Sequence, residues 1–155
     1  MSVSLYRRYR PTQFNQIVGQ VAAVHVITRA LEERVVSHAY LFSGPRGCGK
    51  TTLARLLAKS LNCTSRGEGA EPCNSCSSCE AINRGESLDV IEIDGASNNS
   101  VDEIRELKTH VSLSPFASSY KVYIIDEVHM LSLSAFNALL KTLEEPPSHV
   151  VFILA

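Results

Sequence analysis

The most informative residues for chemistry form one short loop. Residues 44–51 read Gly-Pro-Arg-Gly-Cys-Gly-Lys-Thr, which fits the pattern G-x-x-x-x-G-K-[ST]. The glycines permit backbone conformations in which successive N–H groups converge on phosphate oxygens. Lys50 adds an ammonium group for the terminal phosphates, and Thr51 offers a hydroxyl to Mg²⁺. The loop therefore predicts binding of a nucleoside triphosphate by Gly44, Pro45, Arg46, Gly47, Cys48, Gly49, Lys50, Thr51 and Thr52.

A pair of acids follows a later apolar run. Asp126 and Glu127 come directly after Val122–Ile125, where a parallel strand would end. In a nucleotide site Asp126 would hold Mg²⁺ or one of its waters together with Thr51, and Glu127 would polarise the attacking water. The alternative is a pair of solvated acids at a strand end. With the loop upstream, we predict Lys50, Asp126 and Glu127 as catalytic residues and assign His129 no chemistry.

Four cysteines form a second chemical pattern. Cys63, Cys73, Cys76 and Cys79 are spaced C-x9-C-x2-C-x2-C, so four thiolates could surround one ion. Sulfur ligands select Zn²⁺ or an iron–sulfur cluster, and we favour Zn²⁺ because nothing else suggests electron transfer. Four thiolates leave no open position, so the zinc would be structural. Uncoordinated thiols or a redox pair are the alternatives, and Cys48 is interpreted as a bystander of the phosphate loop.

Composition limits the class of protein. A chain of 155 residues with 45% hydrophobic residues fits one compact domain. No apolar run approaches the roughly 20 residues that span a bilayer, and the polar N-terminus does not resemble a secretory signal. The formal charge of −1 gives no global attraction to nucleic acid. Five cysteines without a sign of export indicate a reducing cytosol and a cytoplasmic protein.

Hydrophobic spacing predicts the elements that must position these residues. Strands are expected at about 39–43, 88–93, 121–125 and 150–154, and the third is apolar enough to be covered on both faces. Helices are expected within 20–36, at about 50–62, after Ser100 and before Pro146. This alternation predicts an α/β fold, a parallel sheet flanked by helices. Residues 63–80 are interpreted as an insertion without a core of its own.

The helical predictions rest on residues that share a face. The first helix would present Val21, Val24, Ile27, Leu31 and Val35. The third would begin with a capping box of Ser100 and Glu103 and present Val101, Ile104, Leu107 and Val111. The last would present Phe136, Leu139, Leu140 and Leu143 before Pro146 and Pro147 end it.

Several motifs occur together in one order. They are Tyr6–Pro11, the stretch Phe14–Gln20 (F-x-x-I-V-G-Q), the phosphate loop, the four cysteines, Asp126–Leu131 (D-E-V-H-M-L) and Ala138–Pro147 (A-L-L-K-T-L-E-E-P-P). Over its whole length the chain closely resembles the N-terminal region of the gamma/tau subunits of the bacterial DNA polymerase III clamp loader, which are AAA+ ATPases. The cysteine insertion and the L-L-K-T-L-E-E-P-P run make this resemblance specific.

The resemblance implies a function and partners. Such a subunit works in a ring with delta, delta-prime and further gamma/tau copies, and it uses ATP and Mg²⁺ to load the sliding clamp onto primer–template DNA. The resemblance also implies that the N-terminal segment holds the base and sugar of the nucleotide. The matching residues are Tyr6, Arg10, Pro11, Val18 and Gly19. A solvated basic tail is the alternative for Arg7, Arg8 and Arg10.

The resemblance also implies features beyond Ala155. Residues 1–155 would form a truncated AAA+ ATPase base domain without the fifth strand, the first sensor, the arginine finger, the helical lid and the collar. We therefore expect these residues to bind nucleotide but to hydrolyse it poorly. A sheet ordered 5-1-4-3-2 without its fifth strand would leave strand one as an open edge, from which we expect dimerisation, strand swapping or poor solubility.

Two other functions stay open at this point. Another nucleotide-driven machine, such as a D-E-x-H helicase or a different AAA+ protein, fits the same loop and acids. A non-catalytic assembly module stabilised by zinc is the second alternative. Nucleotide-dependent binding to a ring clamp would separate the first from a clamp loader, and equilibrium binding of ATP would test the second.

Overall fold

The sheet has four parallel strands. In a computed structural model, which describes residues 4–155, the strands are β1 (Ala39–Leu41), β2 (Val90–Asp94), β3 (Lys121–Asp126) and β4 (Val150–Leu154). Their order is β1-β4-β3-β2, and every neighbouring pair is parallel. The predicted parallel sheet is confirmed, with β1 at one edge among the described residues. The predicted domain includes residues 1–3, which lie outside that range.

The part of the chain that is described contains six α-helices. They are α1 (Leu5–Arg8), α2 (Val21–Glu32), α3 (Lys50–Asn62), α4 (Ser77–Arg84), α5 (Val101–Val111) and α6 (Leu133–Glu144). Two short 3₁₀ helices span Phe14–Gln16 and Val128–Met130. The predicted capping box at the start of α5 is present, with the Ser100 hydroxyl accepting from the Glu103 amide.

The two faces of the sheet are buried by different helices. Because neighbouring residues of a strand point to opposite faces, Val122 and Ile124 pack in one cluster while Tyr123 and Ile125 pack in the other. The first cluster includes α2 and α3, and the second includes α5 and α6. Burial on both faces explains why β3 and β4 read as nearly continuous apolar runs.

The predicted extent of the first helix is wrong. Helix α2 ends at Glu32 instead of continuing to residue 36, and Arg34 follows with a left-handed φ of 56°. Val35 is therefore 67% exposed, and the next residue, Val36, packs against the core. Val21, in the first turn, is also exposed.

Three further differences concern the later segments. Leu140 lies on the exposed side of α6, although Leu139 beside it is fully buried. Strand β2 begins at Val90, two residues later than expected, and leaves Leu88 exposed. Helix α4, which the sequence pattern did not predict, begins inside the cysteine-containing stretch because Cys76 Sγ accepts the amide of Cys79 at its N-terminus.

None of the helices within residues 4–155 combines the length and apolar character needed to cross a membrane.

Candidate nucleotide and metal sites

The phosphate loop connects β1 to α3. Gly49 stands immediately before α3 with a φ of 97°, a left-handed conformation that a residue with a Cβ would rarely adopt. The ammonium of Lys50 donates to the carbonyl oxygens of Gly44 at 2.8 Å and Pro45 at 2.9 Å. The loop thus surrounds one cation at the positive end of a helix, which is an arrangement suited to a polyanion.

A short hydrogen bond joins the loop to the end of β3. Thr51 Oγ1 donates to Asp126 Oδ2 at 2.7 Å, across 75 residues of sequence. The other carboxylate oxygen, Asp126 Oδ1, accepts the amide of Glu127 at 3.0 Å. A hydroxyl and a carboxylate beside a phosphate loop are oxygen ligands of the kind that Mg²⁺ takes, so both residues fit the ion.

Glu127 has a left-handed backbone conformation and two basic side chains as neighbours. It adopts a left-handed φ of 53° directly after β3. Its carboxylate lies 3.5 Å from the guanidinium of Arg46 and 3.2 Å from Nε2 of His129. The side chain of Glu127 is 30% exposed, so water can reach it. The described arrangement places the predicted base beside the phosphate loop, with Arg46 of that loop as a partner.

Gly95 supports this acidic strand end and was not singled out from the sequence. Its amide donates to the carbonyl oxygen of Asp126 at 2.7 Å. A Cβ on Gly95 would lie 2.6 Å from the carbonyl oxygen of Glu127 and 2.9 Å from that of Asp126. A glycine directly after a strand that pairs Asp94 with Asp126 is a signal that could have identified this close approach.

A cavity of about 380 Å³ adjoins the phosphate loop. Its lining includes Pro11 and Val18 from the predicted base-binding set, together with Gly47, Cys48, Gly49, Lys50 and Thr52 of the loop region. Sequence reasoning missed Ile17, Gln20, Ala23, Leu41 and Phe42, which also line it. Gln20 donates to the Cys48 carbonyl at 3.4 Å, and this contact joins the N-terminal segment to the loop.

The other three residues of the predicted base-binding set, Tyr6, Arg10 and Gly19, do not line this cavity. The guanidinium of Arg10 lies 6.0 Å from the centre of the Tyr6 ring. Arg10 lines a separate cavity with Arg55 and Lys59. The structure therefore brings together two of the five residues.

The four cysteine sulfurs converge on one point. Cys63, Cys73, Cys76 and Cys79 have Sγ atoms within 4.8 Å of one another, and the Cys73 and Cys79 sulfurs are 3.9 Å apart. A tetrahedral zinc–thiolate site with bonds of about 2.3 Å would separate sulfurs by about 3.8 Å. The donor set and its spacing are compatible with a zinc module.

Backbone amides and burial shift the pKa values of these thiols in opposite directions. Hydrogen bonds from the amide of Ser75 and then from that of Cys76 lower the pKa of Cys73 to about 6. Burial raises the pKa of Cys63 and that of the fully buried Cys79. A thiolate is therefore already favoured at Cys73, whereas the thiols of Cys63 and Cys79 need a cation to ionise near neutral pH.

The fold and this arrangement define the class of protein. A parallel sheet with a phosphate loop after β1 and an acidic pair after β3 is that of a P-loop NTPase of the AAA+ type. Among solved structures, the Thermotoga maritima RuvB Holliday junction branch migration motor matches 94% of this chain and 40% of its own, with a TM-score of 0.54 and 21% identity. A gamma subunit-related protein of DNA polymerase III from the same organism matches 84% of this chain and 38% of its own, with a TM-score of 0.50 and 24% identity. These likenesses concern the fold alone.

The chain belongs to the family described as DNA polymerase III, delta subunit, which matches residues 19–155. Its sequence is 57% identical to DNA polymerase III subunit tau of Bacillus subtilis over 98% of this chain and 27% of that protein. It is 56% identical to DNA polymerase III subunit gamma of Buchnera aphidicola over 97% of this chain and 42% of that protein. The resemblance to gamma/tau subunits is confirmed. The chain spans less than half the length of either relative, and the roles of its site residues stay predictions.

Proposed function

We propose that this chain is the ATP-binding and ATP-hydrolysing motor subunit of the bacterial replicative clamp loader. The observation that carries the proposal is the 2.7 Å hydrogen bond between Thr51 and Asp126, next to the ammonium of Lys50. It unites the phosphate loop with the acidic strand end, as the two halves of a Mg²⁺–nucleotide site require. The gamma and tau relatives support the choice of this machine among P-loop proteins.

Each residue at the phosphate end has a proposed role. Lys50 moves from the carbonyl oxygens of Gly44 and Pro45 to the terminal phosphates, which are stronger acceptors for an ammonium. Thr51 and Asp126 hold Mg²⁺, which when bound neutralises charge that develops on the phosphates. Glu127 orients and polarises the attacking water. Backbone amides of residues 44–52 other than Pro45 donate to the remaining phosphate oxygens.

The base end of the site is proposed for the cavity beside the loop. Pro11 and Val18 contribute apolar surface there, and a volume of about 380 Å³ suits a nucleobase and its sugar. Contacts to the base or sugar are also proposed for Tyr6, Arg10 and Gly19, which do not line this cavity. They remain part of the proposal on the strength of the family resemblance.

The remaining parts of the proposal concern the assembly. Zinc held by the four cysteines stabilises the inserted segment. Delta, delta-prime and further gamma/tau copies, the sliding clamp and primer–template DNA are the proposed partners in the cytoplasm. Dimerisation of the chain through the edge of β1 stays a prediction.

Titration of ATP and Mg²⁺ into zinc-loaded protein tests the nucleotide site. We expect saturable binding, and we expect Lys50→Ala to weaken it at least about 30-fold, because truncating one partner of a close charge pair costs about 2 kcal/mol or more. Lys141→Ala, which removes an exposed lysine on α6, is the matched control and should bind as the unchanged protein does. ATP-dependent clamp loading by the reconstituted complex should fail with Lys50→Ala alone. Absence of ATP binding by the folded, unchanged protein would overturn the proposal.

A further inference from the structure

The cysteine insertion, residues 63–80, makes polar contacts with the N-terminal segment, residues 11–18. The two carboxylate oxygens of Glu71 accept the amides of Phe14 at 2.8 Å and Asn15 at 2.9 Å. These amides open the 3₁₀ helix Phe14–Gln16, whose preceding residue supplies no side-chain cap. Glu71 therefore caps this short helix from 57 residues away in the sequence.

A second contact accompanies the first. The side-chain amide of Asn74 donates to the carbonyl oxygen of Thr12 at 3.1 Å. Within the N-terminal segment, the amide of Thr12 donates to the side-chain oxygen of Gln16 at 2.8 Å. Phe14 is 2% exposed and packs in the core. One buried ring and three polar contacts thus determine where this segment lies.

The cysteine cluster determines where Glu71 and Asn74 lie. Both residues flank Cys73, and the amide of Cys73 donates to Cys63 Sγ at 3.3 Å. Asn74 has a left-handed φ of 60°, and the amides of the next two residues donate to Cys73 Sγ. Bringing the four sulfurs together therefore fixes the backbone from which both side chains reach the N-terminal segment.

The same N-terminal segment forms one wall of the cavity beside the phosphate loop. Pro11, Ile17 and Val18 line that cavity, on either side of the residues that Glu71 and Asn74 hold. The four clustered cysteines, unlike Cys48 of the phosphate loop, are not among its lining residues. Glu71 and Asn74 connect the insertion to that wall through the backbone of residues 12–15.

We propose that Glu71 is a positioning residue for the base-facing wall of the nucleotide site, and that the cysteine insertion buttresses nucleotide binding through it. The inference rests on the proposed function. Removing the carboxylate leaves two consecutive amides without their acceptor, so the wall becomes less ordered in the free protein. Part of the free energy of nucleotide binding must then be used to order it. The phosphate loop is not touched by Glu71, so its hold on phosphates is unaffected.

Two ligands separate these effects. ATP needs the wall and the loop, whereas inorganic tripolyphosphate needs the loop alone. We expect Glu71→Ala to weaken ATP binding about tenfold, consistent with the loss of hydrogen bonds to a charged acceptor, and Glu71→Gln to have a smaller effect. Binding of tripolyphosphate with Mg²⁺ should change by less than about twofold in both variants, and the zinc content should be unchanged. Glu68→Ala, which removes an exposed acid of the same insertion, is the matched control.

The possible results distinguish the two proposals. Equal ATP binding by Glu71→Ala and the unchanged protein overturns the inference alone, as does an equal loss for ATP and tripolyphosphate. Failure of the unchanged protein to bind ATP overturns the proposed function and this inference with it. If Glu71→Ala does not fold, the ratio of the ATP affinity to the tripolyphosphate affinity of Glu71→Gln decides instead. Faster hydrogen exchange at the amides of Phe14 and Asn15 should accompany the loss.

Discussion

Asp89 offers a sharp test of how the loop before β3 is held. Its side chain is 3% exposed and accepts amides from Phe116 at 2.5 Å, Ala117 at 2.8 Å and Ser118 at 2.9 Å. Burial raises the pKa of Asp89, but the amide donors of Ala117 and Phe116 outweigh it, so the pKa lies below its usual range. Asp89 therefore stabilises the fold as a carboxylate.

Asp89→Asn removes one acceptor and introduces a donor. Asn can keep its single oxygen toward Ala117 and Ser118, but its NH₂ group then faces the amide of Phe116. Losing one hydrogen bond to a charged group and leaving a buried donor unpaired should cost about 2–4 kcal/mol in the free energy of unfolding. For a chain of this size, the melting temperature should fall by roughly 5–15 °C.

Thermal melting as a function of pH provides the assay. Asp102→Asn is the control. Because the side chain of Asp102 is 86% exposed, this substitution should change the free energy of unfolding by less than about 0.5 kcal/mol. A carboxyl with a lowered pKa stabilises above its unfolded pKa of about 3.9 and loses that effect as pH falls through the folded value. The difference between Asp89→Asn and the unchanged protein should therefore shrink below about pH 4. Equal melting at pH 7, or a difference that stays constant to pH 3, would refute the reasoning.

Two further substitutions test the acidic strand end. In the reconstituted complex, Glu127→Gln should retain ATP binding while ATP turnover falls by about 10²–10⁴-fold, since it removes the proposed base; unchanged turnover would show that Glu127 does not act on the water. Gly95→Ala should lower stability by about 1–3 kcal/mol and slow turnover, because its Cβ would force the carbonyls of Asp126 and Glu127 to shift. Gly69→Ala, where a Cβ would meet nothing within 4 Å, is the control, and equal melting of the two variants would contradict the close approach.

The central strands could be predicted because each one is an uninterrupted apolar run in the sequence. Val122 to Ile125 and Val150 to Leu154 are apolar at every position, and the structure buries all of them on both faces. Helix α3 runs from Lys50 to Asn62 as expected, since a glycine precedes it and apolar residues recur at helical spacing. In these segments the local pattern of apolar residues already predicts the secondary structure, and the tertiary contacts agree with it.

The errors arose where a tertiary contact or a single backbone conformation decided the outcome. Val35 continued the helical spacing of α2, but the left-handed Arg34 ended the helix and turned Val36 inward. Helix α4 has few apolar residues, and a cysteine sulfur caps its start. Cysteine is not among the usual helix-capping residues, so Cys76 did not identify the start of this helix.

The phosphate end and the base end of the candidate site differ in how well they could be predicted from the sequence. Thr51 and Asp126 are 75 residues apart, yet their meeting was predictable, because the carboxyl ends of parallel strands share one edge of a sheet. Glu71 and Phe14 are 57 residues apart and both lie outside the sheet. Segments outside a sheet have no strand pairing that fixes their relative positions. The spacing of residues along the chain therefore does not indicate that Glu71 caps the 3₁₀ helix that begins at Phe14. The phosphate end of the site is therefore encoded in a pattern, whereas the base end depends on how the cysteine insertion folds against the N-terminal segment.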